Sequence, residues 1–517
     1  MFKFRATLIA AVMFTPCALY AAPPVSKAPT AGEARASKAM EAARKSPLEM
    51  HAFLAEMPKG ADLHMHLSGA IYAETFIRDA IADHVCVNPV THSLVRGETT
   101  CVAPNVPPET ALKDQHLYDA LVDAFSMKSF VPSAGTSGHD QFFDTFGRFG
   151  GLGNHNAEWL DEVATRAAAQ NEQYLEIMMT PSFSASAKAG YAIGWPADDA
   201  TPAQLAEVRE KLLASGMKDE MAADIKQVEA DLAGRKTLEH CGTAEAKPAC
   251  AVTIRMIYQV LRAFPPQQVF AQTLLGFEMM KADAANIVGI NFVQPEDAYM
   301  AMSEYHRQMK MMDYLRGAYP VGHISLHAGE LAPGMVPPEG LKFHIREAIE
   351  LGHAERIGHG VDVMGEDRPH ELLKEMAAKH VMVEINLTSN DGILGITEPF
   401  HPLPQYRGAG VPVALSTDDE GVSRIDLTNE YTRAAMEFHL TYVELKNMAR
   451  TGIEHSFLPG ASLWSVPDGF GTPVRACAGS FGGTTPSSGC AAFLGGSEKA
   501  AQQWELERRF VAFEAKL

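Results

Sequence analysis

One recurrence constrains this chain more than any other feature: short apolar runs rich in Val, Ile or Leu return eight times between Asp62 and Asp419. They are Asp62 to Leu67, "YLEIMMTP" from Tyr174, "QTLLGFEM" from Gln272, "NIVGINFV" from Asn286, "HISLHAGE" from His323, "RIGHG" from Arg356, "VMVEINL" from Val381 and "VPVALSTDD" from Val411. A parallel strand covered by helices has no solvent face, so its sequence reads as a nearly continuous apolar run. Longer stretches with helical patterning separate the runs, which makes the repeat a βα unit. Eight such units predict an α/β fold of the (β/α)8 TIM-barrel class with insertions, and a doubly wound open sheet is the structural alternative.

Two excursions interrupt the rhythm. Between the first two runs lies "DQFFDTFGRFGGLG", whose aromatic residues at helical spacing read as core or as the wall of a cleft. Between the second and third, a polar insertion occupies about 183–251. The expected organisation is a leader over 1–21, a polar helical extension over 22–57, the barrel over 58–460, and a C-terminal loop and helix over 461–517.

The leader reading rests on "MFKFRATLIAAVMFTPCALYAAPP", in which Lys3 and Arg5 precede a short apolar run and small residues follow near Ala21. That is the layout of a secretory signal peptide, and the run, broken by Pro16, is too short for the roughly 20 residues that span a bilayer. The expectation is therefore export, periplasmic or extracellular, with no stable membrane association once the leader is removed. Of seven cysteines, six remain after such cleavage. In an oxidising compartment they read as three local disulfides, Cys86 with Cys101, Cys241 with Cys250 and Cys477 with Cys490. With 63 acidic against 44 basic residues the net charge is −19, which argues against a nucleic-acid partner. A homodimer stays open.

The chemistry is concentrated at the ends of the runs. Residues two apart on a strand share a face, so His64 and His66 can reach one metal ion. Alone, H-x-H would equally describe two structural histidines. The other runs end in His327 with Glu330 three residues on, in His359, and in Asp418 with Asp419. Barrel enzymes carry their chemistry at the carboxyl ends of the strands, where these groups would converge. Three imidazoles and a carboxylate form a zinc-type shell with room for a water. His323 reads as core. His353 and Glu355 make a literal H-x-E, but no P-C-x-x-C follows it, so a cytidine-type deaminase site is excluded.

With "PKGADLHMHLSGA", "HAGE", "RIGHG" and "STDDEGVSR" in that order, and "VEINLTSN" and "GIEHSFL" as further echoes, the chain resembles the adenosine deaminase family of the amidohydrolase superfamily. The resemblance implies that His64, His66, His327 and Asp418 ligate one zinc ion per chain. Two-metal relatives usually carry a bridging modified lysine at a strand end, and none of the eight runs ends in lysine. A metal of this kind lowers the pKa of its water from about 15.7 toward 7. The resemblance further implies that His359 orients that water and handles its proton, that Glu330 donates to N1 of a purine, and that Asp419 binds near N7. The catalytic set is then Glu330, His359 and Asp419, and the expected partner is a small purine nucleoside.

Two positions depart from the family pattern. Ser68 stands where many members that act on nucleosides have an aspartate for the sugar, and Gln294 stands where a glycine is usual. With His66 and Asp419 these are the expected substrate contacts. Deamination of adenosine and 2'-deoxyadenosine to the 6-oxo purine leads. Adenine or a modified adenine nucleoside, or a signalling protein of low turnover like the exported growth-factor-like branch, are the alternatives.

Overall fold

The computed structural model describes residues 29–97 and 100–517; the expected leader and Cys17 lie outside them. Eight parallel strands follow one another round a barrel: β1 (Gly60–His66), β2 (Glu172–Met179), β3 (Thr253–Leu261), β4 (Ile287–Val293), β5 (His323–Ala328), β6 (Arg356–His359), β7 (Met382–Ile385) and β8 (Val413–Leu415). Each pairs in parallel with the next in chain order, as the right-handed βα repeat demands. The circle closes where Met65 of β1 bridges Asp418 just beyond β8, with His66 N–H donating to the Asp418 carbonyl at 3.1 Å and Asp418 N–H to the His64 carbonyl at 2.8 Å. This is the (β/α)8 barrel expected.

Seven of the eight runs are strands, and the third is not. "QTLLGFEM" lies inside the helix Pro266–Ala282, and the third strand is the less apolar "TIRMIYQVL" of β3. A short apolar run does not separate a buried helix from a buried strand. Here the helix starts from Pro265 and Pro266, with proline at its first position, and is buried on nearly all sides. Its Gly276 lies so close to the sheet that a Cβ there would stand 2.8 Å from Tyr258 and 2.9 Å from Ile290.

All three disulfides form: Cys86–Cys101, Cys241–Cys250 and Cys477–Cys490. The first ties the segment after β1, and the second ties the chain just after the helix Met217–Leu238, the last of three helices that begin with Ser184–Ile193 and Pro202–Leu213. The third sits in a small apolar cluster with Leu463, Trp464 and Trp504. At the other end of the described chain the helix Ala31–Ala43 buries Ala36 and Met40 against the barrel flank. Lys446 sews it down through Glu33 at 3.1 Å and Glu514 at 2.6 Å. None of the described helices is long and apolar enough to cross a membrane.

His323 is not core. It is the first residue of β5, at the opposite mouth from the strand ends, where its side chain is 44% exposed, pairs with Glu355 at 2.9 Å and stacks on Phe457. His353 pairs with Asp313 on the surface.

Gly276→Ala tests the helix-on-sheet contact. Alanine gains about 1 kcal/mol over glycine within a helix, but overpacking costs about 1–3 kcal/mol, so a net fall in the urea midpoint is expected. A raised midpoint would show that the helix moves away freely.

Candidate active site

The strand order brings the predicted groups to one end of the barrel. His64 and His66 point from the last turns of β1, His327 from β5, and Asp418 from the stretch after β8. His64 Nε2 lies 3.1 Å from His327 Nε2 and 3.3 Å from Asp418 Oδ1, and His66 Nε2 lies 3.3 and 3.2 Å from the same two atoms. A tetrahedral ion about 2.0–2.1 Å from four ligands requires ligand separations of about 3.3–3.4 Å. These four separations lie close to that value, and the four donor atoms form one buried group, all within 4.8 Å of one another, that could hold a metal ion.

Each imidazole is fixed through its other nitrogen. His64 Nδ1 meets Glu384 Oε2 at 2.5 Å, His327 Nδ1 meets Asn291 Oδ1 at 2.8 Å, and His66 Nδ1 meets Gln259 Oε1. These partners choose the tautomer that leaves Nε2 free for a metal. Ser389 donates to Asp418 Oδ2 at 2.6 Å. Burial works against the Glu384 carboxylate, but Arg356 and His64 outweigh it and hold it at about 2. Burial, then the neighbouring His64, His359 and His66, keeps His327 well below the usual imidazole range, in the neutral form a metal needs.

Glu330, His359 and Asp419 stand around this group. His359 Nδ1 lies 3.6 Å from Glu330 Oε1 and accepts from Asn390 Nδ2 at 3.0 Å. Its Nε2, like Asp419 Oδ1, is buried with no hydrogen-bond partner among the described residues. Burial, with His64 and His66 beside it, pushes His359 down to about 3. Burial, followed by repulsion from Asp418 and Glu296, raises the Glu330 carboxyl well above its ordinary range. Asp419 rises too, through burial and then Asp418. The site thus holds an uncharged base beside two carboxyls that favour their protons.

The local backbone is strained to achieve this. Gln294, His359 and Asp418 take φ of 88°, 68° and 61°, left-handed conformations that cost about 1–3 kcal/mol each and cluster at functional sites. Gly69 clears the way for Asp419, since a Cβ there would meet Asp419 Oδ1 at 1.4 Å.

A cavity of about 420 Å³ opens over the donor group. Phe142, Phe143 and Phe146 of the helix Gly138–Arg148 form one wall, so the aromatic stripe is a cleft wall. Ser68 and Gln294 line it as well. The Gln294 side chain is partly committed, because its Oε1 accepts from Ala263 N–H at 2.9 Å while its carbonyl accepts from Arg262 at 3.2 Å.

A family model described as adenosine deaminase matches residues 159–465. The chain belongs to the adenosine deaminase family. Adenine deaminase of Rhizobium rhizogenes is 30% identical over 227 residues, 43% of this chain and 63% of that protein. Adenosine deaminase of Escherichia coli (strain SE11) is 39% identical over 137 residues, 26% of this chain and 38% of that one. The chain thus matches less than two thirds of the length of either relative. Among solved structures, adenine deaminase of Arthrobacter aurescens superposes with a TM-score of 0.50 at 18% identity, over 77% of this chain and 94% of that one, a likeness of fold.

Adenosine deaminase family membership rests on a span that begins after His64 and His66, and it is the barrel seam that brings those two histidines to Asp418. Sequence reasoning missed the groups behind the ligands. Asn291 and Glu384 carried a signal, as polar residues inside strands buried on both faces. Gln259 was hidden because β3 was assigned elsewhere.

Glu384→Gln removes the charge that orients His64 and faces Arg356. Metal affinity is expected to fall about 10–100-fold, read by competition with a chromogenic chelator; unchanged affinity would remove Glu384 from the metal's support.

Proposed function

We propose that this protein is an exported adenosine deaminase that holds one zinc ion per chain and hydrolyses adenosine and 2'-deoxyadenosine to the 6-oxo nucleoside and ammonia. The observation that carries the reading is the juxtaposition, beside four convergent donors, of His359 and Glu330, 3.6 Å apart, with burial pushing the imidazole down and the carboxyl up. An acid and a base at one centre suit hydrolysis of a C–N bond and have no use in a pure binder.

In this reading His64, His66, His327 and Asp418 hold the zinc, which when bound acidifies a water and supplies the nucleophile near neutral pH. His359, whose Nε2 has no hydrogen-bond partner among the described residues, orients the attacking water and handles its proton. Glu330 donates to N1 of the purine, which draws electron density from C6 and prepares it for attack. Asp419, held in its acid form, donates to the acceptor N7. The leaving amine then departs as ammonia once it has gained a proton. His66 and Asp419 flank the base, while Ser68 and Gln294 face the remainder of the substrate.

Export is supported by the leader composition of residues 1–21 and by the three disulfides, which persist in oxidising compartments. A second reading, adenine or a modified adenine nucleoside as substrate, is favoured by two observations. Ser68 replaces a sugar-binding aspartate, and three phenylalanines, Phe142, Phe143 and Phe146, line the same cavity. The Rhizobium rhizogenes relative bears the name adenine deaminase.

An ultraviolet assay with adenosine, 2'-deoxyadenosine, adenine and N6-methyladenosine tests both readings. Adenosine turnover is expected to vanish on chelation and return with zinc; preference for adenine would move the substrate. Glu330→Gln is expected to retain zinc and lose about 10²–10⁴-fold in kcat, and equal rates would remove its role as the ring acid.

A further inference from the structure

The loop that carries Glu330 leaves β5 at Ala328 and turns through Gly329 at a φ of +74°, yet its backbone is gripped on both edges. On one edge, the N–H groups of Val361 and Asp362 donate to the Gly329 carbonyl at 2.8 and 3.1 Å. On the other, the N–H groups of Gly329 and Glu330 donate to one side chain, Glu296, at 3.0 and 2.8 Å, each to its own carboxylate oxygen.

Glu296 follows β4 by three residues and is 2% exposed. A buried carboxylate persists only with compensating partners, and here two groups face it. His344 Nδ1 lies 2.6 Å from Oε1, and Arg262 lies 3.8 Å from Oε2. Burial opposes ionisation, but His344 and Arg262 prevail and hold Glu296 at about 2. His344 is itself fixed, fully buried and stacked on Tyr305 at 4.2 Å, with the Tyr305 hydroxyl donating to its carbonyl at 2.8 Å. Arg262 donates in turn to the carbonyls of His327 at 3.0 Å and Gln294 at 3.2 Å. Neither Glu296 nor His344 lines the substrate cavity.

We propose that Glu296, braced by His344 and Arg262, is the positioning residue for Glu330: by binding two successive N–H groups it fixes the Gly329–Glu330 peptide and thereby where the Glu330 carboxyl meets the ring nitrogen of the substrate. The proposal rests on the deaminase reading above. It accounts for a buried, doubly balanced carboxylate that touches no substrate, and it links the ends of β3, β4 and β5 through Arg262.

Glu296→Gln is the decisive variant, because an amide accepts from one of the two N–H groups but sets its own NH2 against the other. The expected result is a fall in kcat of about 10–100-fold, the scale of a misplacement near 1 Å. KM should stay within about twofold, bound zinc should be unchanged, and Glu296→Asp should restore part of the rate. Unchanged kcat in folded Glu296→Gln overturns the proposal. So does a fall in kcat accompanied by loss of zinc and a raised KM, which marks a general structural role. If Glu296→Gln does not fold, His344→Asn removes the brace and leaves the carboxylate; the same kcat-selective loss supports positioning, and a wild-type kcat overturns it. Wild-type protein is measured first. Zinc-loaded protein with no turnover of any 6-aminopurine overturns the deaminase reading and this proposal together, whereas an active wild type matched by Glu296→Gln overturns positioning alone.

Discussion

A chain of buried charges through the barrel interior is the interaction on which the rest depends. Arg356, 1% exposed on β6, pairs with Glu176 of β2 at 2.7 Å and Glu384 of β7 at 2.6 Å, and Glu384 reaches on to His64 of β1. Its guanidinium also donates to the carbonyls of His455 and Leu63 and lies over the Phe457 ring at 3.7 Å. Removing one partner of such a buried pair leaves an uncompensated charge and costs about 3–5 kcal/mol. A slip of β1, β2, β6 or β7 by one residue would break the set, so the charges specify register as well as orienting the first histidine.

The polar groups above this layer follow the same rule. Asn291 and Glu384, both buried, and Gln259, on the cavity wall, each spend a side chain on one imidazole nitrogen. Asp62 accepts from the Thr417 N–H at 3.0 Å and its hydroxyl at 2.6 Å, holding the approach to Asp418. Histidine ligands without such supports would rotate; with them, the three imidazole donor atoms converge from the strands themselves.

Much of the fold was legible because barrel strands are hydrophobic on both faces, and "NIVGINFV" or "VMVEINL" advertise that directly. The same logic misled at "QTLLGFEM", where a helix packed against the sheet through Gly276 is as apolar as a strand. Meanwhile β3, with Arg255 and Gln259 in its sequence, interrupts the apolar run that marks the other strands. The groups that converge at the strand ends were readable from H-x-H, HAGE, RIGHG and STDD. Their supports were not, since Glu296 in "VQPED" or Gln259 in "YQVL" has no local pattern that announces a partner on another strand. The aromatic helix Gly138–Arg148 was readable as a wall, but which face met the cavity depended on packing that no periodicity contains.

The barrel seam has a consequence for when the protein can work at all. His64 and His66 sit at the first strand and Asp418 just past the last, joined by the Met65–Asp418 bridge and two backbone hydrogen bonds. The pairings from β1 to β7 can form while the chain is still incomplete, but this one waits for the final strand. A chain that stops short of that strand therefore carries all but one of the donors without owning a site. Closing the ring and completing the donor set are the same step.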